Sequence, residues 1–148
     1  MEGFLLNSEF TIAVHSLVLL SHLPGQMATS GEIAANVCTH AARIRKIMGM
    51  LRKAGYVKTK EGFGGGFLLN CDPDAVTLAD IYRVTSAGSL KPYWCTGDKS
   101  QSCPVSSNMQ DVMNRLFCDA EKHMEQYLAG RTLGDVLHEV RFEETDGR

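Results

Sequence analysis

The sequence predicts a mostly α-helical fold with one small β-hairpin. Two short helical patterns, the second of them basic, follow each other between residues 31 and 54. Two short apolar runs then flank a glycine-rich tip at residues 62–66, and an amphipathic pattern occupies residues 105–128. Two helices followed by a hairpin form the order of a winged helix-turn-helix, which presents its second helix to the major groove of DNA.

Composition and local charge fit one domain with a positive surface. The chain has 148 residues, of which 44% are hydrophobic and 22% charged, with a net charge of −2. No Asp or Glu lies between Ile33 and Lys60. The cations of this stretch are Arg43, Arg45, Lys46, Arg52, Lys53, Lys58 and Lys60. Because phosphates respond to local charge, this patch predicts double-stranded DNA as the partner.

The N-terminal region carries neither a basic signal sequence nor a membrane span. The first basic side chain is Arg43, and the apolar stretch Phe10–Leu23 is interrupted by Ser and His residues. We therefore expect a cytoplasmic protein with no membrane partner. Five cysteines, an odd number in a reducing compartment, argue against a fixed disulfide framework. Buried thiols, metal ligands and redox-sensing thiols remain as alternatives.

The first helix is predicted at Leu5–Leu23, with Asn7 or Ser8 as its cap and Pro24-Gly25 as its end. It is apolar on most faces, so we expect it to be largely buried. After a connector at residues 26–29, Ser30 is the predicted cap of a helix at Gly31–Val37.

Thr39 is the predicted cap of the next helix, His40–Ala54, and Gly55 closes it. At about 100° per residue, one face of this helix is apolar: Ile44, Ile47, Met48 and Leu51. Arg43, Lys46 and Lys53 are predicted on the opposite face, which makes the helix half core and half positive surface.

The remaining elements are predicted from turn and cap residues and from the spacing of apolar residues. Strands at Val57–Thr59 and Phe67–Leu69 form the hairpin, and Thr77 caps a helix at Leu78–Thr85. Residues 1–86 thus form the DNA-binding domain, 87–104 a loop with Cys95 and Cys103, and 105–142 a long helix and a terminal short one, Leu133–Val140. Residues 143–148 are expected to be frayed.

The long helix carries one apolar stripe: Met109, Val112, Met113, Leu116, Ala120, Met124 and Tyr127. This stripe either packs on the body of its own chain or forms a two-helix dimer seam. We favour a homodimer, because a compact winged-helix domain leaves little of its own surface to cover the stripe. A dimer also doubles the contact with DNA.

The run IRKIMGMLRKAGYVKTKEGFGGGFLL, residues 44–69, resembles the Rrf-two family of bacterial winged-helix repressors, the group of IscR, NsrR and CymR. TLADIYRVT at 77–85 and RTLGDVL at 131–137 are similar to later helices of that family. The resemblance implies a homodimeric transcription regulator that binds a near-palindromic operator. It is nearest to the branch that lacks the full set of cluster cysteines.

Candidate DNA contacts lie at the start and outer face of the second helix of the motif, at the helix before it and in the wing. The first turn of a recognition helix reaches base edges, and Arg43 suits bidentate binding of guanine. Hydroxyls, lysines and glycines elsewhere suit phosphate or backbone. The full set is Thr29, Ser30, Thr39, His40, Ala42, Arg43, Lys46, Lys58, Lys60, Gly64 and Gly65. At the tip, Phe63 stands where the family often has a basic residue.

The cysteines leave two sensing mechanisms open. In the first, Cys38 before the recognition helix pairs with Cys95 or Cys103 on oxidation, and the disulfide displaces that helix. In the second, an iron–sulfur cluster binds Cys95 and Cys103, with Glu9 as a further ligand from the partner subunit. The resemblance implies three cysteines in this loop for cluster-bearing members, whereas this chain has two. We favour the thiol switch and expect no resident cofactor.

The leading hypothesis is therefore a homodimeric DNA-binding repressor gated by cysteine oxidation. One alternative is a cluster-sensing regulator of the same family. Another is a protein-interaction module that keeps the fold without binding DNA. No arrangement of acid and base residues predicts an enzyme.

Overall fold

The computed structural model describes residues 8–91 and 94–146, with side chains as far as residue 141. The elements in this part of the chain are α1 Ser8–His22, β1 Met27–Ala28, α2 Ser30–Val37, α3 Ala41–Lys53, β2 Val57–Lys60, β3 Gly66–Leu69, α4 Leu78–Thr85, α5 Pro104–Ala129 and α6 Leu133–Asp146. The predicted mostly helical fold with a small sheet is confirmed.

The core forms around α1, which packs against α2, α3, α4 and α6. Its Ala13, Leu17 and Leu20 are completely buried, as the apolar sequence of this helix predicts. Each fully buried Leu contributes about 1.5–3 kcal/mol of transfer free energy. The predicted start at Leu5 and the cap Asn7 lie outside the described residues.

The inner face of α3 is predicted correctly. Ile44, Ile47, Met48 and Leu51 have no exposed surface. Tyr82 of α4 lies in the same core and packs edge-on against Phe10, with ring centroids 5.7 Å apart. This packing fixes which side of α3 faces solvent.

The predicted hairpin belongs to a three-stranded antiparallel sheet in the order β1-β3-β2. Val57 pairs with Leu69, and Ala28 pairs with Phe67 on the other edge of β3. The prediction of a connector at residues 26–29 was wrong, because a two-residue strand has no periodicity to reveal it. A Cβ at Gly66 would lie 2.5 Å from the Ala28 carbonyl oxygen. The glycine at position 66 is therefore the sequence feature that reflects the pairing of β1 with β3.

Two predicted helix caps are displaced by one residue. Thr29, not Ser30, caps α2, and its Oγ1 accepts a hydrogen bond from the Glu32 amide. His40, not Thr39, occupies the cap position of α3. The predicted cap Thr77 is confirmed and forms a reciprocal capping box with Asp80.

The last helix is longer than predicted. α6 continues to Asp146 instead of ending at Val140, so residues 143–146 are helical instead of frayed. Leu133 at its start is completely buried, and Val136 and Leu137 pack against the core. Packing against α1 stabilises α6. The polar sequence of the tail does not reveal this tertiary contact, so the predicted helix ended too early.

Candidate nucleic-acid interface and cysteine sites

The turn between α2 and α3 sets the orientation of α3. Cys38 adopts a left-handed conformation, with φ of 66° and ψ of 50°. The Thr39 amide donates to the Ala34 carbonyl at 3.0 Å, which closes α2 before α3 begins. Since the inner face of α3 is buried, this turn presents the other face to solvent.

The middle of that outer face is formed by Ala42, Lys46 and Lys53, all of which are exposed. Arg45 and Arg52 are exposed beside them, although the predicted set of DNA contacts omitted both. The absence of Asp and Glu between Ile33 and Lys60 is the sequence feature that could have identified Arg45 and Arg52. The surface is therefore broader and more positive than the predicted contacts.

Arg43 does not lie on the outer face. At 100° per residue it falls about 90° from the centre of the buried face, and it is half-buried. Its Nη2 donates to the Ser8 Oγ at 2.6 Å. The prediction that Arg43 is opposite the core was therefore wrong.

Lys46 is also held by α1. Its Nζ lies 3.1 Å from the Glu9 Oε1, and 69% of the Lys46 side chain remains exposed. A solvent-exposed pair of this kind is worth about 0–1 kcal/mol, so a phosphate can replace the carboxylate at low cost. Glu9, predicted as a possible cluster ligand, is engaged with its own chain here.

The first turn of α3 is accessible. His40 and Ala42 are exposed, whereas Thr39 is half-buried. The His40 side chain makes no capping hydrogen bond, and its carbonyl accepts from the Arg43 amide at 3.0 Å. The imidazole is thus not used to cap α3.

At the start of α2, Thr29 is exposed and Ser30 is half-buried. Thr29 accepts the Glu32 amide at 3.1 Å, which is a capping role. The predicted phosphate contact at this helix N-terminus is compatible with that role but has to share the site with the Glu32 carboxylate, whose Oε1 is 3.2 Å from the Thr29 hydroxyl.

The wing continues the positive surface. Lys58 and Lys60 are exposed on β2, and Arg52 of α3 donates to the Thr59 hydroxyl at 3.4 Å. At the tip, Gly64 has φ of 74°. A Cβ at Gly65 would lie 2.1 Å from the Lys60 carbonyl oxygen, so this glycine is required by the hairpin itself.

The predicted sensor cysteines lie in different surroundings. Cys38 is exposed at the carbonyl end of α2, and its Sγ donates to the Ala35 carbonyl at 3.7 Å. Cys38 thus lies beside helix carbonyls, two residues before the cap position of α3. Cys103 lies at the amide end of a helix: it occupies the N-terminal cap position of α5, and the nearby amides of Ser106 and Val105 hold the pKa of its thiol below the ordinary value.

The loop before α5 is fastened to the first turns of that helix. The Thr96 amide donates to the Gln110 Oε1 at 2.6 Å, and the Asp98 amide donates to the Ser106 carbonyl at 3.1 Å. Cys95, next to Thr96, and Cys103 are both exposed. Both thiols are therefore accessible and lie on one structural unit.

A resident cluster would need ligands beyond the two thiols of the loop before α5. Four ligands are required, and residues 94–104 provide two thiols. Among the residues with described positions, no group of three or more His, Cys, Asp or Glu side chains is arranged to hold a metal ion.

The described helices include none that is long and apolar enough to cross a membrane.

The exposed stripe of α5 adds a second surface. Met109, Val112, Leu116 and Tyr127 are 37–65% exposed. The face of α5 that packs against α4 carries Leu128 and Glu125, at about 95° and about 155° from the centre of the stripe. Glu125 lies 3.6 Å from Arg83. The stripe thus does not pack on its own chain over most of its length.

The family model described as "Rrf2: Iron-dependent Transcriptional regulator" matches residues 6–139. The chain belongs to the Rrf2 (Rrf-two) family. It is 26% identical over 136 residues to the putative HTH-type transcriptional regulator YwnA of Bacillus subtilis, covering 92% of this chain and 99% of that protein. NsrR of the same organism is 29% identical over 123 residues, covering 82% and 81%.

Solved structures agree with the fold. A putative transcriptional regulator from Lactobacillus plantarum superposes with a TM-score of 0.79 at 24% identity, covering 95% of this chain and 98% of that one. IscR from T. potens gives 0.65 at 25% identity, covering 90% and 85%. The Rrf2 chain is thus a DNA-binding transcription regulator and not an enzyme, as predicted, and the interaction module without DNA binding is disfavoured.

Proposed function

We propose that this Rrf2 protein is a cytoplasmic homodimeric repressor whose binding to a near-palindromic operator is lost on cysteine oxidation. The observation that carries the DNA part is the outer face of α3, where Lys46 and Lys53 are exposed over a completely buried inner face. The exposed stripe of α5 supplies a two-fold seam, and two-fold symmetry favours two operator half-sites about one helical turn apart.

The DNA part is tested on a duplex selected from a random library by the wild-type protein. Lys46→Ala should weaken binding across sequences and reduce the slope of log K against log salt by about 1, because one phosphate contact is lost. Lys122→Ala is the matched control, since Lys122 is exposed on α5 and its loss changes the net charge equally. Equal slopes for the two variants would contradict the assignment of α3.

Cys103 is the thiol on which we centre the redox part. Its thiolate attacks a hydroperoxide and becomes sulfenic acid, while the peroxide is reduced to an alcohol or water. A second thiol, Cys38 or Cys95, then displaces water from the sulfenic acid to form the disulfide. A bond to Cys38 moves the turn before α3, whereas a bond to Cys95 rearranges the loop fastened to α5.

The redox part is tested with peroxide and the selected duplex. Peroxide should release wild-type protein, while a variant with Cys38, Cys95 and Cys103 changed to Ser should stay bound. Cys118→Ser is the control, because Cys118 is an exposed thiol on α5 outside the predicted sensor set. Release of the triple variant by peroxide would rule out these cysteines as the trigger.

A cluster-sensing regulator is the second candidate. The family description as iron-dependent and the cysteine pair of residues 94–104 favour it. Protein purified without oxygen should then contain bound iron and absorb visible light, and both properties should be lost in a Cys95→Ser/Cys103→Ser variant. Colourless, iron-free protein whose DNA binding still responds to peroxide would exclude the cluster and favour the thiol switch.

A further inference from the structure

The tip of the wing carries one aromatic side chain fully into solvent. Phe63 has a relative exposure of 108%, the largest among the exposed hydrophobic residues that the structure describes. The Gly65 amide donates to the Gly62 carbonyl at 3.1 Å, so residues 62–65 form a β-turn. Gly64 supplies the positive φ of 74° that its third position requires in a type II turn. Phe63 therefore occupies the outer corner of that turn.

The tip is held in place by its backbone. Gly65 lies against the Lys60 carbonyl and Gly66 against the Ala28 carbonyl, at distances that leave no room for a Cβ. Strand β3 is also paired on both edges, by β1 and by β2. Because the hairpin is ordered before it meets a partner, placing the ring into a binding site costs little conformational entropy.

The surroundings of the ring select a polyanion as the partner. Lys58 and Lys60 are exposed on the strand that leads to the tip, and Arg52 is tied to the Thr59 hydroxyl at 3.4 Å. Glu61 is the acidic residue beside the tip, and it is exposed as well. An aromatic ring ahead of lysines suits nucleic acid, because phosphates bind the cations while bases stack on the ring.

The reach of the hairpin agrees with a neighbouring groove. Val57 is 1% exposed and belongs to the core. From there to the tip, about 3.3 Å per strand residue gives roughly 15–20 Å of extension. With α3 in the major groove, the adjacent minor groove is about half a helical turn away, or roughly 17 Å. The hairpin is therefore long enough to span the distance to that minor groove.

We propose that Phe63 inserts as a wedge between base pairs in the minor groove that flanks the site read by α3, and kinks the duplex there. Apolar wedges that unstack a base step bend DNA toward the major groove. Pyrimidine–purine steps unstack most easily, so Phe63 selects such a step without any hydrogen bond to a base. The inference rests on DNA binding by α3 and assigns the wing its own share of specificity.

The test compares Phe63→Ala, Phe63→Trp and Phe63→Lys on the selected duplex. Affinity is measured together with bending, by energy transfer between dyes at the duplex ends, and with unstacking, by 2-aminopurine fluorescence in the flank. Phe63→Ala should bind about tenfold more weakly, lose the bend and lose its preference at the flanking step. Phe63→Trp should restore all three, because a ring is again present.

Controls separate the wedge from DNA binding itself. Trp94→Ala removes another exposed aromatic, at 75% exposure, and should leave affinity and bend unchanged. Unchanged affinity and bend in Phe63→Ala, or tighter binding by Phe63→Lys at the wild-type bend, would overturn the wedge while DNA binding stands. Failure of the wild-type protein to bind any duplex at low salt would overturn DNA binding and the wedge together.

Discussion

At the scale of single residues, Cys103 and Cys71 differ in what surrounds their sulfur atoms. Cys103 is exposed at the N-terminus of α5, where the amides of Ser106 and Val105 lower the pKa of its thiol. Cys71 is half-buried beside the wing, where burial and the Asp72 carboxylate raise the pKa of its thiol. Backbone amides at Cys103, and burial together with the Asp72 carboxylate at Cys71, thus shift the pKa values of the two thiols in opposite directions.

We expect this difference in the pH dependence of alkylation. A lowered pKa keeps more of Cys103 as thiolate at a given pH, so its reaction with iodoacetamide should reach half its maximal rate at a lower pH than that of Cys71. Peptide mass spectrometry measures both sites in one sample. In urea the two profiles should converge, and equal midpoints in the folded protein would contradict the assignment.

The same scale explains an error at Arg43. Sequence reasoning placed this side chain opposite the core, whereas it lies on the flank of α3 and donates to Ser8 of α1. The helical period allowed the flank position, but the crossing of α1 over α3 depends on tertiary packing. Single residues at the border of a face are therefore the least predictable from the chain.

At the scale of elements, α1 contacts part of the proposed DNA-binding surface of α3. Glu9 lies 3.1 Å from the Lys46 Nζ, so a carboxylate sits at the edge of the positive face of α3. Its charge opposes phosphate and competes for Lys46. The N-terminus of α1 thus sets how much of the α3 charge is available.

Removing that carboxylate should tighten DNA binding. Glu9→Gln keeps the size of the side chain and removes its charge, so Lys46 becomes available to phosphate. We therefore expect higher affinity for DNA and a slope of log K against log salt that is steeper by as much as about 1. Glu125→Gln is the control, because Glu125 pairs with Arg83 on α4 instead of with α3. Binding assays over a range of salt concentrations measure both, and identical slopes would show that Glu9 does not compete with phosphate.

At the scale of the whole molecule, the exposed stripe of α5 is the surface through which we propose that two copies associate. Leu116 is 56% exposed near its centre. An exposed apolar face on a 26-residue helix is a typical interaction surface. The fold of one chain leaves most of this face uncovered, and in the proposed homodimer a second copy would cover it by symmetry.

A charge in this stripe should separate the dimer without unfolding the chain. Leu116→Lys is expected to give a monomer by light scattering and to weaken operator binding at least tenfold, because two half-sites are no longer bound together. Gln126→Lys adds the same charge to α5 about 110° from the stripe and should remain dimeric. A dimeric Leu116→Lys protein would place the seam elsewhere.

The sequence alone determined the helices, the hairpin and the inner face of α3, because local periodicity and glycine placement encode them. It also determined the positive stretch between Ile33 and Lys60. Only the tertiary structure decided that α1 engages Arg43 and Lys46, and that β1 completes the sheet. These features join residues that are distant in the chain, and a one-dimensional pattern does not contain the distances between them.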